Sequence, residues 1–263
     1  FSLIYPQKKD GTWYFKIIPL LMWTITFLLL TGLTVKMSEY LAVRNQRLMS
    51  LFSALIIFSF LYLILLLTRY PAIITQFQLF SPYSYTMNAL IPTAGHLLIL
   101  SFLMAVLAFI FYRHADFIDK LMIKTGKRYL TLTILLFVAA ILFLGYHSIF
   151  NHLILNSNIN FETYKVLDLN ALSLAGFVAI SFLFAVPFLY LLKVLPLAKE
   201  WPVHHWAVPC LVSLSVFLIT LREEPVMAVS LMVFYVMVIA GIRLTCLFKT
   251  GTFNKSVIFS IIF

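Results

Sequence analysis

From Tyr129 to Phe150 the chain reads YLTLTILLFVAAILFLGYHSIF, 22 residues without a charge, and Arg128 stands just before them. A helix needs about 20 residues to cross roughly 30 Å of hydrocarbon. In that medium every backbone amide must find its partner within its own segment, so an apolar run of this length is a helix. A strand of a membrane barrel would alternate polar and apolar residues over about ten positions, and this stretch does not. The run reads as a transmembrane helix, and the fold class depends on how often it recurs.

It recurs along the whole chain. Apolar runs of spanning length fall at about 17–35, 51–68, 89–112, 129–150, 169–192, 203–221 and 225–242, and a last one begins at 256. The expectation is an all-α, polytopic transmembrane helix bundle of about eight spans, the last truncated, forming a single membrane domain over 1–263. The sixth run is interrupted by Pro209, and its first residues, His204, His205 and Trp206, belong at headgroup depth. Composition agrees: 63% of residues are apolar, 11% charged, and mean hydropathy is +1.03. A soluble domain carries roughly 45–50% apolar and about 25% charged residues. The opening at Phe1 and the short apolar run at the other end read as a piece of a longer protein.

Lys and Arg in the connections set the expected direction. The connections 36–50, 113–128, 193–202 and 243–255 hold thirteen of them; the N-terminal tail with Arg69, Lys165 and Arg222 holds six. The richer set belongs in the cytoplasm, which puts the N-terminus outside and sends the last helix outward. The net charge of +10 is then a matter of anionic headgroups rather than nucleic acid. The expected setting is a bacterial inner (cytoplasmic) membrane, with the lipid bilayer as the main partner.

All nine acids lie in connections or at helix ends: Asp10, Glu39, Asp116, Asp119, Glu162, Asp168, Glu200, Glu223 and Glu224. Ion-coupled pumps keep ionisable groups inside the membrane to bind or relay the ion, so that class is disfavoured. No nucleophile–base pair, phosphate-cradling loop or metal-ligand motif appears, and no cofactor or metal is expected. His147 and His152, five apart, do not share a helix face as a metal pair would. Cys210 and Cys246 read as small hydrophobes within helices.

A few residues stand out as sensing or coupling candidates. His96 sits just inside the third run after Pro92 and Gly95, and histidine titrates near neutrality. Glu223 and Glu224 lie in the turn between the sixth and seventh runs, where Pro225 suits the first position of a helix. Asn156 and Asn158 belong to a cluster of turn formers, Asn156-Ser157-Asn158-Ile159-Asn160-Phe161. Residues 69–90 form a long connection poor in charge, which belongs at an interface. Residues 115–124 read as a short amphipathic helix lying on the membrane.

Three stretches resemble the membrane portion of large sensor histidine kinases from Bacteroidota: Leu79-Phe80-Ser81-Pro82, Leu90-Ile91-Pro92-Thr93-Ala94-Gly95-His96-Leu97-Leu98, and His147 to Phe161. The resemblance covers most of residues 50–190 loosely. It implies a transmembrane sensor and signal-transmission block of a two-component system, without catalytic activity of its own. It further implies a homodimer, and a response regulator reached only through kinase domains that this chain does not contain. Two other readings compete. One is a transporter, channel or scramblase for a neutral or lipophilic solute. The other is a lipid-modifying enzyme built on His204, His205 and Glu200, or on His147, His152 and Asp168.

Overall fold

A computed structural model describes residues 13–68, 78–83, 85–116, 118, 128–155, 157, 171–198 and 204–249. Those residues form seven α-helices: α1 (Trp13–Val43), α2 (Arg47–Thr68), α3 (Ala94–His114), α4 (Arg128–Leu155), α5 (Ala171–Val194), α6 (His204–Thr220) and α7 (Pro225–Lys249). Single-turn 3-10 helices occur at Gln78–Phe80 and Leu195–Ala198. Among the described residues there is no β-strand; the only strand-like pairings are isolated bridges.

Six of the seven helices, all but α6, are long and apolar enough to cross a membrane. The chain is therefore an all-helical protein with the spans of a multi-pass membrane protein. α6 departs from expectation. It has 17 residues, about 26 Å at 1.5 Å per residue, and its apolar part covers only Val208–Thr220. The eight-span count is thus not reached among the described residues, and the run from 256 to 263 lies outside them.

Helix ends follow local chemistry more than the edges of the apolar runs. α1 continues past Lys36 to Val43, because nothing in the headgroup zone forces a helix to stop at a charge. It ends at Asn45, whose φ of 63° is left-handed. There Gln46 N–H donates to Leu41 O and Asn45 N–H to Ala42 O, the paired hydrogen bonds of a Schellman end. α7 begins at Pro225, as its N1 preference predicts. Glu224 N–H donates to Leu221 O, and Glu224 O accepts from Ala228 N–H, so α6 and α7 form a tight hairpin.

Small residues decide which faces meet. With no hydrophobic drive between helices in lipid, close packing and buried hydrogen bonds hold a bundle together. α3 packs most extensively on α5; Ala94, Gly95, Ser101 and Ala108 on one helix and Ser173, Gly176 and Ala179 on the other are buried. Some 39% of each of these spans is buried, against 11% of α1, so α3 and α5 are the centre and α1 the rim. α4, α5, α6 and α7 share the largest core, with Leu136, Phe143, Leu191, Phe217 and Tyr235 fully enclosed. Tyr235 resolves its buried hydroxyl by donating to Leu136 O at 2.9 Å.

Candidate functional site

The connection between α2 and α3 is folded back by an Asx turn. Asn88 Oδ1 accepts from the N–H groups of Leu90 and Ile91, and Met87 N–H donates to Ile91 O. The Tyr62 hydroxyl, on α2, donates to Leu90 O. Thr93 then caps α3: its extended backbone precedes the first turn, and its Oγ1 accepts from His96 N–H.

His96 is part of this cap. Its Nδ1 lies 2.7 Å from Thr93 Oγ1. With Nε2 protonated, Thr93 O–H donates to Nδ1 while its oxygen accepts the His96 amide, which closes a reciprocal pair at the helix start. Phe80 meets the imidazole edge-on, ring centroids 5.6 Å apart. The same ring lies over Gly95, where a Cβ would sit 2.5 Å from Phe80 Cε1. Gly95 is thus needed for close approach rather than for backbone freedom.

The cap extends across the bundle through Tyr85. This side chain is only 1% exposed and meets the His152 ring, near the end of α4, edge-on at 5.7 Å. Its backbone forms an antiparallel bridge with Ser157. Tyr85, before α3, thus lies against His152 and Ser157, at and just past the end of α4. Burial pushes the Tyr85 phenol up to about 12, so it stays neutral at physiological pH. Both atoms, the Tyr85 hydroxyl and His152 Nδ1, are buried, and neither has a hydrogen-bond partner among the described residues.

The opposite end of the bundle gathers the basic connections. Arg113, at the end of α3, pairs with Glu39 of α1, which also holds Lys36 at 3.1 Å. Asp116 pairs with Lys193 at the end of α5 and with Arg47 at the start of α2, the latter at 3.0 Å. Ser38 and Ser50 share a buried hydrogen bond of 2.5 Å between α1 and α2. Arg243 stacks over Trp206, 4.7 Å from the ring centroid.

The hydrogen bond from Lys193, and after it the Lys193 and Arg47 charges, hold the Asp116 carboxyl below its ordinary range, against the opposing effect of burial. A depressed folded pKa stabilises the protein above the ordinary carboxylate pKa, and that contribution is lost as pH falls through the folded value. Asp116 is half-exposed, so the expected size is that of screened ion pairs, about 1 kcal/mol or less. Asp116→Asn should lower the unfolding midpoint near neutral pH and make no difference at about pH 2. A gap between the two proteins that stays constant with pH would contradict this.

Of the sequence candidates, His96 joins the cap, while Glu223 and Glu224 stand exposed in the α6–α7 turn. Asn156 and Asn158 lie outside the described residues, although Ser157 between them is in the cap. The amphipathic helix expected over 115–124 also lies largely outside them. His147 and His152 turn to different partners, Met227 and Tyr85. Asp168, Glu200 and the side chains of His204 and His205 lie outside the described residues. Among the described residues no three His, Cys, Asp or Glu side chains gather into a metal site. Sequence reading missed Tyr85, whose only signal is an aromatic in a charge-poor connection. Comparison with family models, with curated proteins and with solved structures gives no match to this chain.

Proposed function

We propose that the chain is the membrane-embedded sensing and transmission block of a two-component sensor histidine kinase, crossing a bacterial cytoplasmic membrane about eight times with its N-terminus outside. The observation that carries this reading is the Tyr85–His152 contact, which joins the α2–α3 connection to the end of α4 and leaves two buried polar atoms without a partner among the described residues. Such an atom costs about 1–3 kcal/mol. A ligand or a displacement that satisfies it recovers that energy, which is how a bound group shifts a two-state equilibrium. At the other end, the ion pairs of Glu39 and Asp116 tie α1, α2, α3 and α5 together, so a shift of α3 in the cap reaches several helices. That basic end would face the cytoplasm. The working unit would be a homodimer acting on a response regulator through domains beyond this chain.

The test is twofold. The gene, read beyond codon 263, should encode a phospho-accepting helix and an ATP-binding domain. In membrane vesicles holding that full product, Tyr85→Phe and His152→Gln should each change basal autophosphorylation severalfold. A gene without a kinase region, or phosphorylation indifferent to both substitutions, defeats the reading.

A second reading is favoured by one feature. A cavity of about 230 Å³ lies between α2 and α3, lined by Leu55, Phe58, Ser59, Tyr62, Leu103 and Met104 among others. Its apolar walls suit a lipophilic solute. Specific photolabelling by a lipid-like probe within this groove, without effect on phosphorylation, would favour it.

A further inference from the structure

At the end of the bundle away from the cap, two ion triads meet. Glu39 on α1 accepts from Lys36 at 3.1 Å and from Arg113 in the last turn of α3. Asp116, just past α3, accepts from Arg47 at the start of α2, at 3.0 Å, and from Lys193 at the end of α5. Each carboxylate faces two cations, so each triad keeps one positive charge. Arg113 and Asp116 stand three residues apart across the turn in which Ala115 N–H donates to Phe111 O, which makes the triads neighbours. His114, between them, feels the charges of Arg113, Glu39, Arg47 and Asp116 alike. Arg44 adds a further cation: it lies over the Tyr40 ring, 4.6 Å from the centroid, and has no ion pair among the described residues. In sequence the surplus is wider still, since the connections 36–50, 113–128 and 193–202 hold ten Lys and Arg against four acids.

The surplus is poorly screened, because Lys193 and Arg47 are only 18% and 29% exposed. It also has donors to offer. Arg47 and Arg113 each engage their carboxylate through Nη1, one end of a guanidinium with five N–H donors. That planar fork matches a phosphate. Depth selects which phosphate. The apolar spans of α1, α2, α3 and α5 all end at this cluster, which places it at headgroup level. Tyr40 and Tyr112 are exposed beside it, as aromatic side chains at a membrane interface are. Leu33, Met37 and Phe109, deeper on α1 and α3, are exposed apolar surface for acyl chains.

We propose that the two triads and Arg44 form a docking site for the headgroup of an anionic phospholipid, with its phosphodiester held by Arg44, Arg47 and Arg113. Glu39 and Asp116 hold the cations in place, and the lipid brings the negative charge that the triads lack. The site requires only that the chain lies in a bilayer, so it stands apart from the signalling reading.

The experiment is a titration of the purified full chain, in a neutral detergent, with phosphatidylglycerol carrying a fluorescent tail. Phosphatidylcholine with the same chains is the reference. Phosphatidylglycerol should saturate at one lipid per chain and bind at least about tenfold more tightly than phosphatidylcholine. Arg47→Gln combined with Arg113→Gln should weaken it at least about tenfold, and Arg44→Gln, which breaks no ion pair, about fivefold. Arg222→Gln removes the same charge at the other end of the bundle and should cost less than about twofold. Equal binding of the two lipids overturns the proposal. So does an Arg44→Gln effect no larger than that of Arg222→Gln, which would mean diffuse charge rather than a site. Displacement of the lipid by an equal concentration of glycerol phosphate would show a site for free anions, and it too defeats the lipid assignment. Should the double variant fail to fold, Arg44→Gln decides alone.

Discussion

Gly95→Ala should destabilise the protein by about 1–3 kcal/mol, the usual range for forcing atoms into a filled site. Alanine normally gains nearly 1 kcal/mol over glycine in a helix, so the sign itself is diagnostic. The new methyl would collide with the Phe80 ring at 2.5 Å. To make room, that ring must give up its edge-on contact with His96. His96 in turn is bonded to the Thr93 cap, so the strain spreads into the start of α3. A second substitution isolates the cause. In a Phe80→Ala background the methyl has room, and Gly95→Ala should become neutral or stabilising. Unfolding of the four proteins in detergent completes the cycle. An equal penalty in both backgrounds would mean that Phe80 is not what excludes a side chain at residue 95.

That cycle also marks where sequence reading reaches and where it stops. The run 129–150 became α4 at 128–155, and 51–68 became α2 at 47–68, because lipid leaves an apolar run of that length no other structure. Pro225 at the first position of α7 was legible for the same kind of local reason. α1 was drawn too short, since a charge ends a hydrophobic run but not a helix; the left-handed Asn45 ends it. α6, at 204–220, matches the run 203–221 to within one residue at each end, but its apolar part is confined to Val208–Thr220, which is short of a full crossing. His96 could be picked out as a histidine at a helix start. That Phe80 packs on it could not, because the connection between them carries no periodicity. Tyr85 against His152, and His147 against Met227, join residues 67 and 80 apart. Such pairs depend on how helices stand beside one another, and spacing within one segment holds no trace of that. The five-residue gap between His147 and His152 did read correctly as two different directions.

The rim of the bundle gives the other large effect. α1 buries Thr31, Thr34, Ser38 and Ala42, and α2 buries Ser50, Ala54, Phe58, Tyr62 and Leu65. Each set recurs every three or four residues, so each is one face of its helix. Ser38-x-x-x-Ala42 and Ser50-x-x-x-Ala54 are small-residue pairs of the kind that let membrane helices approach closely. The Ser38–Ser50 hydrogen bond fixes the antiparallel register, which sets Thr34 opposite Ala54. Ala54→Leu should therefore drive a wedge between the two helices. Because only 11% of the α1 span is buried, there is little other packing to hold α1 in place. The reporter is a Ser38→Cys, Ser50→Cys pair. The two oxygens lie 2.5 Å apart, close to the roughly 2.05 Å of a disulfide, so mild oxidation should cross-link this pair nearly completely. Adding Ala54→Leu should cut the yield severalfold. Ile56→Ala, two residues on and exposed, should leave it unchanged. A yield indifferent to Ala54→Leu would show that the α1–α2 contact tolerates bulk, and then small residues are not what holds α1 to the bundle.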